Sequence, residues 1–415
     1  MPLTAASPCP ADATAPPALI GLATLAKLAF DSRDLIPLEQ QLVARAQDAP
    51  QDAAALLDLS VLTQLLGDRD RGLALQMEAL TLQQIYRHPL AGAAAPGMRL
   101  LAFVAPGDLM ANTPLQFLLE GSDIALDLLY VVAGHPLPSP IPEHDLAFVA
   151  VGESDENRPV LEQIARRILT WPRPVVNTPE RIARLSREAT GPLLHAVPGV
   201  MAPATCRLDR DGLDRIHQGA LPIHAVLPDG AFPILVRPTG SHAGHGLAKL
   251  SDLAAVGAYL GEQPEPEFFV TPFIDYRGPD GLFRKYRIAV IDGHPFACHL
   301  AISTHWMVHY LNAGMTESAE KRDEEARFMA EFDGDFARRH SEAIRAITDR
   351  VGLDNYAMDC GETLDGRLLL FEADVAMIIH AMDSPEMFPY KQRQMQKVFG
   401  AFRRMLYKAC GRAMT

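Results

Sequence analysis

Three acids near the C-terminal end of the 415-residue chain have the types and spacing for metal chemistry. They lie in the stretch DNYAMDCGETLDGRLLLFEADV, residues 354–375. Asp365-Gly366 reads as a tight turn between two strands. Asp359 precedes the turn, while Glu372 and Asp374 end the second strand two residues apart and so share a face. Folding the hairpin brings Asp359 back against them. Three crowded carboxylates repel one another unless a hard cation such as magnesium lies between them. The alternative is an exposed hairpin tip with incidental acids, but these acids lie at the apolar strand's end, away from the turn.

Two earlier segments supply groups suited to phosphate. Residues 232–250, FPILVRPTGSHAGHGLAKL, read as strand, basic residue, Gly-rich turn and strand. Gly240, Gly244 and Gly246 allow backbone N–H groups to turn inward around phosphate oxygens. Arg237 stands at the strand's end, and Ser241, His242 and His245 lie within the loop. The two histidines either donate to phosphate or are solvated loop residues. Next come EFFVTPFID, a strand over 267–275, and KYRIAVIDGHPFACHLAIS, a hairpin turning at Asp292-Gly293. Strand alternation puts Arg287 on the face opposite Tyr286, Ile288 and Val290, toward a cleft, with His299 also able to face it. There Arg287 either neutralises a transferring phosphoryl group or forms a salt bridge on the sheet. In STHWMVHYLNAGM, residues 303–315, His305, His309 and Asn312 are candidate substrate contacts, the two histidines sharing a face if the segment is helical.

The order of Gly-rich loop, hinge strand with hairpin, and acidic hairpin resembles the ATP-grasp superfamily, which includes D-alanine–D-alanine ligase, glutathione synthetase and the ribosomal-protein glutamate ligases. The step from Asp359 to Glu372, then Glu-x-Asp, is similar to the family's Asp…Glu-x-Asn metal motif. The resemblance implies ATP held between two sub-domains, contacted by Arg237, the Gly-rich loop, Thr271, Phe273 and Asp275, with Mg2+ on Asp359, Glu372 and Asp374. It further implies a carboxylate activated as an acyl phosphate and displaced by an amine, with Arg237 and Arg287 stabilising the charge on transfer. A kinase on the same fold, or a nucleotide-binding module that has lost turnover, is the alternative. The sequence departs from the pattern: Arg237 stands for the usual Lys and Asp374 for the usual Asn. Lys285 replaces an acid two residues before Arg287, Ala357 an Arg two residues before Asp359, and the hinge reads Val-Thr-Pro.

The elements that must position these groups define the fold class, α/β (α+β), with the ATP-grasp unit over 181–415. Strands at LLAFVA, IALDLLYVV, DLAFVAVG and PVVN alternate with helices over 98–180 and predict a small parallel sheet. PGDLMANTP after the first of these strands is no dinucleotide fingerprint. Residues 19–90 are helical, with Leu56, Leu59, Leu62 and Leu66 in a stripe and Gly72 and Ala79 where a second helix must come close. That stretch resembles a tetratricopeptide unit; the expectation is either a module that docks a protein partner or a structural cap. Residues 1–18, rich in Ala and Pro, read as a mobile tail, and 91–97 as a linker.

Composition limits the partners. A net charge of -13 argues against nucleic acid, since phosphate neutralisation needs clustered Lys and Arg. No apolar run reaches membrane-span length. The N-terminus lacks a signal-peptide layout. Five scattered cysteines with no CxxC pair read as reduced thiols in a cytoplasmic protein. The partners the ATP-grasp resemblance implies are small-molecule or peptide carboxylates and amines.

Overall fold

The computed structural model describes residues 19–88, 95–228, 230–241 and 244–414. His242, residues 1–18 and most of the expected linker lie outside the described residues.

Four helices open the described chain: α1 (Leu22–Phe30), α2 (Ile36–Asp48), α3 (Ala53–Leu65) and α4 (Arg69–Leu82). Gly67, at φ +96°, makes the left-handed turn between α3 and α4. Gly72 meets α3 so closely that a Cβ there would sit 2.9 Å from the Ser60 carbonyl. The leucine stripe serves two cores. Leu59 and Leu62 pack with Leu25, Leu35 and Leu42 inside the helical unit, whereas Leu56 faces the next sheet and Leu66 is exposed. Asp58 fastens the start of this unit by accepting backbone N–H groups of Ile20 (2.7 Å) and Gly21 (2.9 Å).

The first sheet contains β1 (Ile85–His88), β2 (Met98–Val104), β3 (Ile124–Tyr130), β4 (Leu146–Val149) and β5 (Val175–Val176), in the order β1-β3-β2-β4-β5. β2 to β5 are parallel, as alternation with α5 (Leu115–Leu118) and α6 (Arg158–Ile168) requires. β1 departs from the expected helical stretch and adds an antiparallel edge, Arg87 pairing with Asp127 across it. After β5 come α7 (Pro179–Ile182) and α8 (Arg187–Leu194), kept apart because Ser186 leaves helical geometry to cap the second.

Two further sheets follow. A four-stranded antiparallel sheet has the order β7-β10-β8-β9, from β7 (Cys206–Asp209), β8 (Ile234–Pro238), β9 (Ala248–Leu250) and β10 (Glu267–Pro272). It is backed by α9 (Arg210–His217) and α10 (Leu253–Glu262) around Leu213, Ile216, Val256 and Phe268. A five-stranded sheet has the order β12-β11-β13-β14-β6. Its strands are β6 (Val200–Met201), β11 (Phe283–Ile291), β12 (His294–Ser303), β13 (Asn355–Glu362) and β14 (Leu368–Asp374), with α11 (Ala319–Glu331), α12 (Phe336–Arg339) and α13 (Ser341–Val351) between β12 and β13. Tyr286, Ile288 and Val290 face this sheet's core, as alternation predicts. β6 joins the five-stranded sheet and β7 the four-stranded one, with only residues 202–205 between them. Among the described residues no helix is long and apolar enough to cross a membrane.

The closing helix α14 (Pro389–Ala409) packs on the first sheet, with Phe402 edge-on to Phe148 at 5.8 Å. Leu56, Leu57, Ala79 and Leu80 of the helical unit share that same core with Met98, Leu100 and Met395. Deleting residues 1–90 would therefore strip the sheet of its cover and of β1, and the remainder should be insoluble. Soluble, monodisperse protein from this truncation in size-exclusion chromatography would contradict the shared core.

Candidate functional site

Strand register builds the site. Arg287 on β11 lies opposite His299 on β12 and opposite Asp359 on β13, and Asp359 lies opposite Glu372 on β14. His299, Arg287, Asp359 and Glu372 thus form one row across four strands. A register shift interrupts each outer pairing beside this row: Cys298 is the extra residue of β12, and Phe371 that of β14. These bulges hold the row on one face of the sheet. Asp374 lies opposite Ala357, further along the same face.

Charge within the row is shared unevenly. Arg287 donates to both Asp359 oxygens, from Nε at 2.7 Å and Nη2 at 3.0 Å, and Lys285 adds an ammonium at 2.9 Å. Burial would raise the Asp359 pKa, but these two cations hold its carboxyl well below the usual range. Burial likewise disfavours the Arg287 charge, and Asp359 outweighs it, keeping the guanidinium firmly protonated. A third Arg287 donor reaches the Ile378 carbonyl at 3.1 Å. Arg287 therefore lies on the face opposite Tyr286, Ile288 and Val290, and there it forms the salt bridge on the sheet.

Glu372 is bound at 2.6 Å by Arg187, the first residue of α8. Among the described residues Asp374 has no cation bonded to it; its side chain accepts the Ala376 N–H at 3.1 Å. Burial, then the neighbouring Glu372, pushes its pKa up to about 6. Glu153, just beyond β4 in the first sheet, is pushed up to about 7 by burial and then by Asp374. Among the described residues no three His, Cys, Asp or Glu side chains already stand close enough to hold a metal. The expected convergence of Asp359, Glu372 and Asp374 is thus incomplete, because Arg287 and Lys285 draw Asp359 to themselves. The donors are nonetheless all oxygens with surplus negative charge around Asp374, a set that suits a hard divalent cation.

Across from these acids stands Arg237 on β8. Burial lowers its pKa to about 10, with Arg187 adding repulsion and Glu372 opposing it, so the three groups lie within one electrostatic neighbourhood. Arg237 donates from Nε to Ser241 Oγ at 3.1 Å and from Nη2 to the Ser241 carbonyl, bracing the start of the Gly-rich turn. Gly244, at φ +77°, approaches Met307 so closely that a Cβ would lie 3.3 Å from its sulfur. The loop therefore reaches the segment that follows β12.

The remaining candidates divide. Phe273 lies under the Lys249 ammonium, 3.6 Å from its ring centre, and edge-on to Trp306 at 5.8 Å. Thr271 donates to the Ala204 carbonyl at 2.9 Å, and Asp275 is turned to Arg277. His299 lies tilted against Tyr310, ring centres 4.7 Å apart, its Nε2 buried without a partner among the described residues. Burial and then Arg287 hold His299 well below its usual pKa, and His309 is lowered by burial and then Lys285. His245, His305 and Asn312 are exposed. The segment 303–315 is not a helix: a 3-10 turn at Tyr310–Asn312 is its only regular element, so His305 and His309 share no helical face. Sequence reasoning missed Arg187 and Glu153. Arg187 reads as an ordinary residue after a Ser cap, and Glu153 carries a signal only in directly following an apolar strand.

Two predictions follow from these charges. Arg287→Met leaves Asp359 buried with Lys285 alone and should cost roughly 3 kcal/mol, the low end for breaking a buried pair. Adding Asp359→Leu should recover much of that loss in denaturant unfolding; a single variant as stable as the parent would refute the pairing. The Asp374 carboxyl keeps its proton in the folded state up to about pH 6, whereas the unfolded chain releases it near 3.8. Folding therefore binds a proton in that window, and this group's contribution falls as pH rises through it. In EDTA, the stability advantage of Asp374→Asn over the parent should grow between those values; a constant difference would exclude the shift.

No protein-family model matches the chain, and no curated protein matches it. Among solved structures it is similar to a RimK domain protein ATP-grasp from Sphaerobacter thermophilus, at 17% identity and TM-score 0.39, covering 74% of this chain and 99% of that one. It is also similar to the D-alanine-D-alanine ligase from Coxiella burnetii, at 11% identity and TM-score 0.46, covering 76% and 96%. The VanG D-Ala:D-Ser ligase from Enterococcus faecalis gives 12% identity and TM-score 0.46, covering 75% and 99%. At such identities and TM-scores the functional argument rests on the site's own geometry.

Proposed function

We propose that the chain is an ATP- and Mg2+-dependent ligase of the ATP-grasp type, joining a carboxylate to an amine through an acyl phosphate. The observation that carries this reading is the meeting of two opposite charge sets. Arg237 and the positive-φ glycines of one sheet face Glu372 and the uncompensated Asp374 of the other.

Glu372, Asp374 and Asp359 would hold the cation, which when bound neutralises phosphate charge. The turn at Gly240, Gly244 and Gly246 offers backbone N–H groups to phosphate oxygens. Phe273, between Lys249 and Trp306, offers a flat apolar surface to a nucleotide base. Arg237 and Arg187 bind the anion and orient it. Release of Asp359 from Arg287 would free a guanidinium for the charge that develops on transfer, an interaction that strengthens in the transition state. Gly244, close to Met307, would narrow the cleft and so limit access of water to a reactive acyl phosphate.

Calorimetry of ATP binding with Mg2+ and with EDTA tests the reading. Affinity should be strong only with the metal, since the acids otherwise oppose the triphosphate. ADP release should follow when a mixed pool of carboxylates and amines is added, with an amide as product. Glu372→Gln should abolish release while remaining folded. Equal ATP affinity in both conditions would remove the metal site; a stable phosphorylated product would indicate a kinase.

A further inference from the structure

The acid-bearing strand β14 runs directly into residues 375–383, which cross the site without regular structure. This strap is held at several points. Thr113 Oγ1 donates to the Val375 carbonyl at 2.9 Å, and Arg287 Nη1 to the Ile378 carbonyl at 3.1 Å. Gln392 Nε2 donates to the Ala381 carbonyl at 3.1 Å, and the Lys391 ammonium lies 3.2 Å from Asp383. These anchors lie on β11, on α14 and on the loop between β2 and α5.

One anchor lies elsewhere. His380, near the middle of the strap, is clasped between two aromatic rings: Phe30 at 5.7 Å, edge-on, and Phe117 at 6.1 Å, tilted. Phe117 is buried in α5, but Phe30 is the last residue of α1, in the N-terminal helical unit. α1 is itself pinned to α5, since Gln116 Oε1 accepts the Ala23 N–H at 2.8 Å. The His380 Nδ1 accepts the Met382 N–H at 3.1 Å, so the orientation of its ring is tied to the path of the strap backbone. The charges of Asp383, Lys391 and Arg287 are all felt at His380.

We propose that Phe30 is a positioning residue: through His380 it fixes the strap 375–383, and with it the Ile378 carbonyl that orients the Arg287 guanidinium. The helical unit would then complete the site's wall, reaching it through a single ring. Its effect on turnover rests on the ligase reading above; its effect on the strap does not.

Phe30 is 41% exposed, so Phe30→Ala should leave the fold intact. Hydrogen exchange followed by mass spectrometry on the full chain reads the strap directly. Phe30→Ala should speed exchange over 376–383 by roughly three- to tenfold, the scale of one lost aromatic contact, with 355–362 unchanged. ADP formation in the mixed substrate pool should fall by a similar factor at unaltered Mg-ATP affinity, and Phe30→Tyr should restore both. Unchanged exchange over 376–383 would overturn the proposal, as would faster exchange with unchanged turnover. A parent protein that binds no Mg-ATP would instead sink the ligase reading, while the exchange result still decides whether Phe30 fixes the strap.

Discussion

The Arg287–Asp359 pair is the constraint on which the rest of the site depends. It joins β11 to β13, the central strand of the five-stranded sheet, and is nearly closed to water, with Asp359 only 4% exposed. A buried carboxylate needs a partner, and two cations meet that need. The neighbours then take what is left. Glu372 turns to Arg187, and Asp374 and Glu153 face each other with no cation bonded to either of them among the described residues. The four acids are thus unequally partnered, and burial with mutual repulsion raises the pKa of Asp374 and Glu153.

The same pair explains two departures from the ATP-grasp pattern. Lys285 stands where an acid is usual, and here it is the second cation on Asp359. Asp374 stands where a neutral amide is usual, and it carries the charge the cations leave uncompensated. The first departure makes the face more positive at Lys285 and the second makes it more negative at Asp374, so charge is redistributed along it.

What was legible in the sequence follows from what is local. The hairpins at Asp292-Gly293 and Asp365-Gly366 could be read because turn residues and strand alternation are short-range signals. Alternation also placed Tyr286, Ile288 and Val290 in the core and Arg287 on the other face. The bulges at Cys298 and Phe371 could not be read, since each arises from pairing with a partner strand. Arg187 and Glu153 were missed for a related reason: they reach the acids from elements far away in the chain, and nothing nearby in sequence marks them. His305 and His309 failed as a helical pair because 303–315 is held by distant partners: Val308, Ala313 and Met315 pack with Tyr276, Phe283 and Leu369, and Met307 meets Gly244.

The short passage between β6 and β7 has a mechanical consequence. The chain enters the five-stranded sheet at Val200–Met201, crosses to the four-stranded sheet through residues 202–205, and returns through residues 273–282. Two bodies joined by two brief strings of backbone cannot slide freely past each other. Their easiest relative motion is rotation about the line through both strings, with the backbone dihedrals of those residues absorbing the turn. The arc of that rotation carries the glycine turn toward or away from Met307, so the width of the cleft becomes a single angular coordinate.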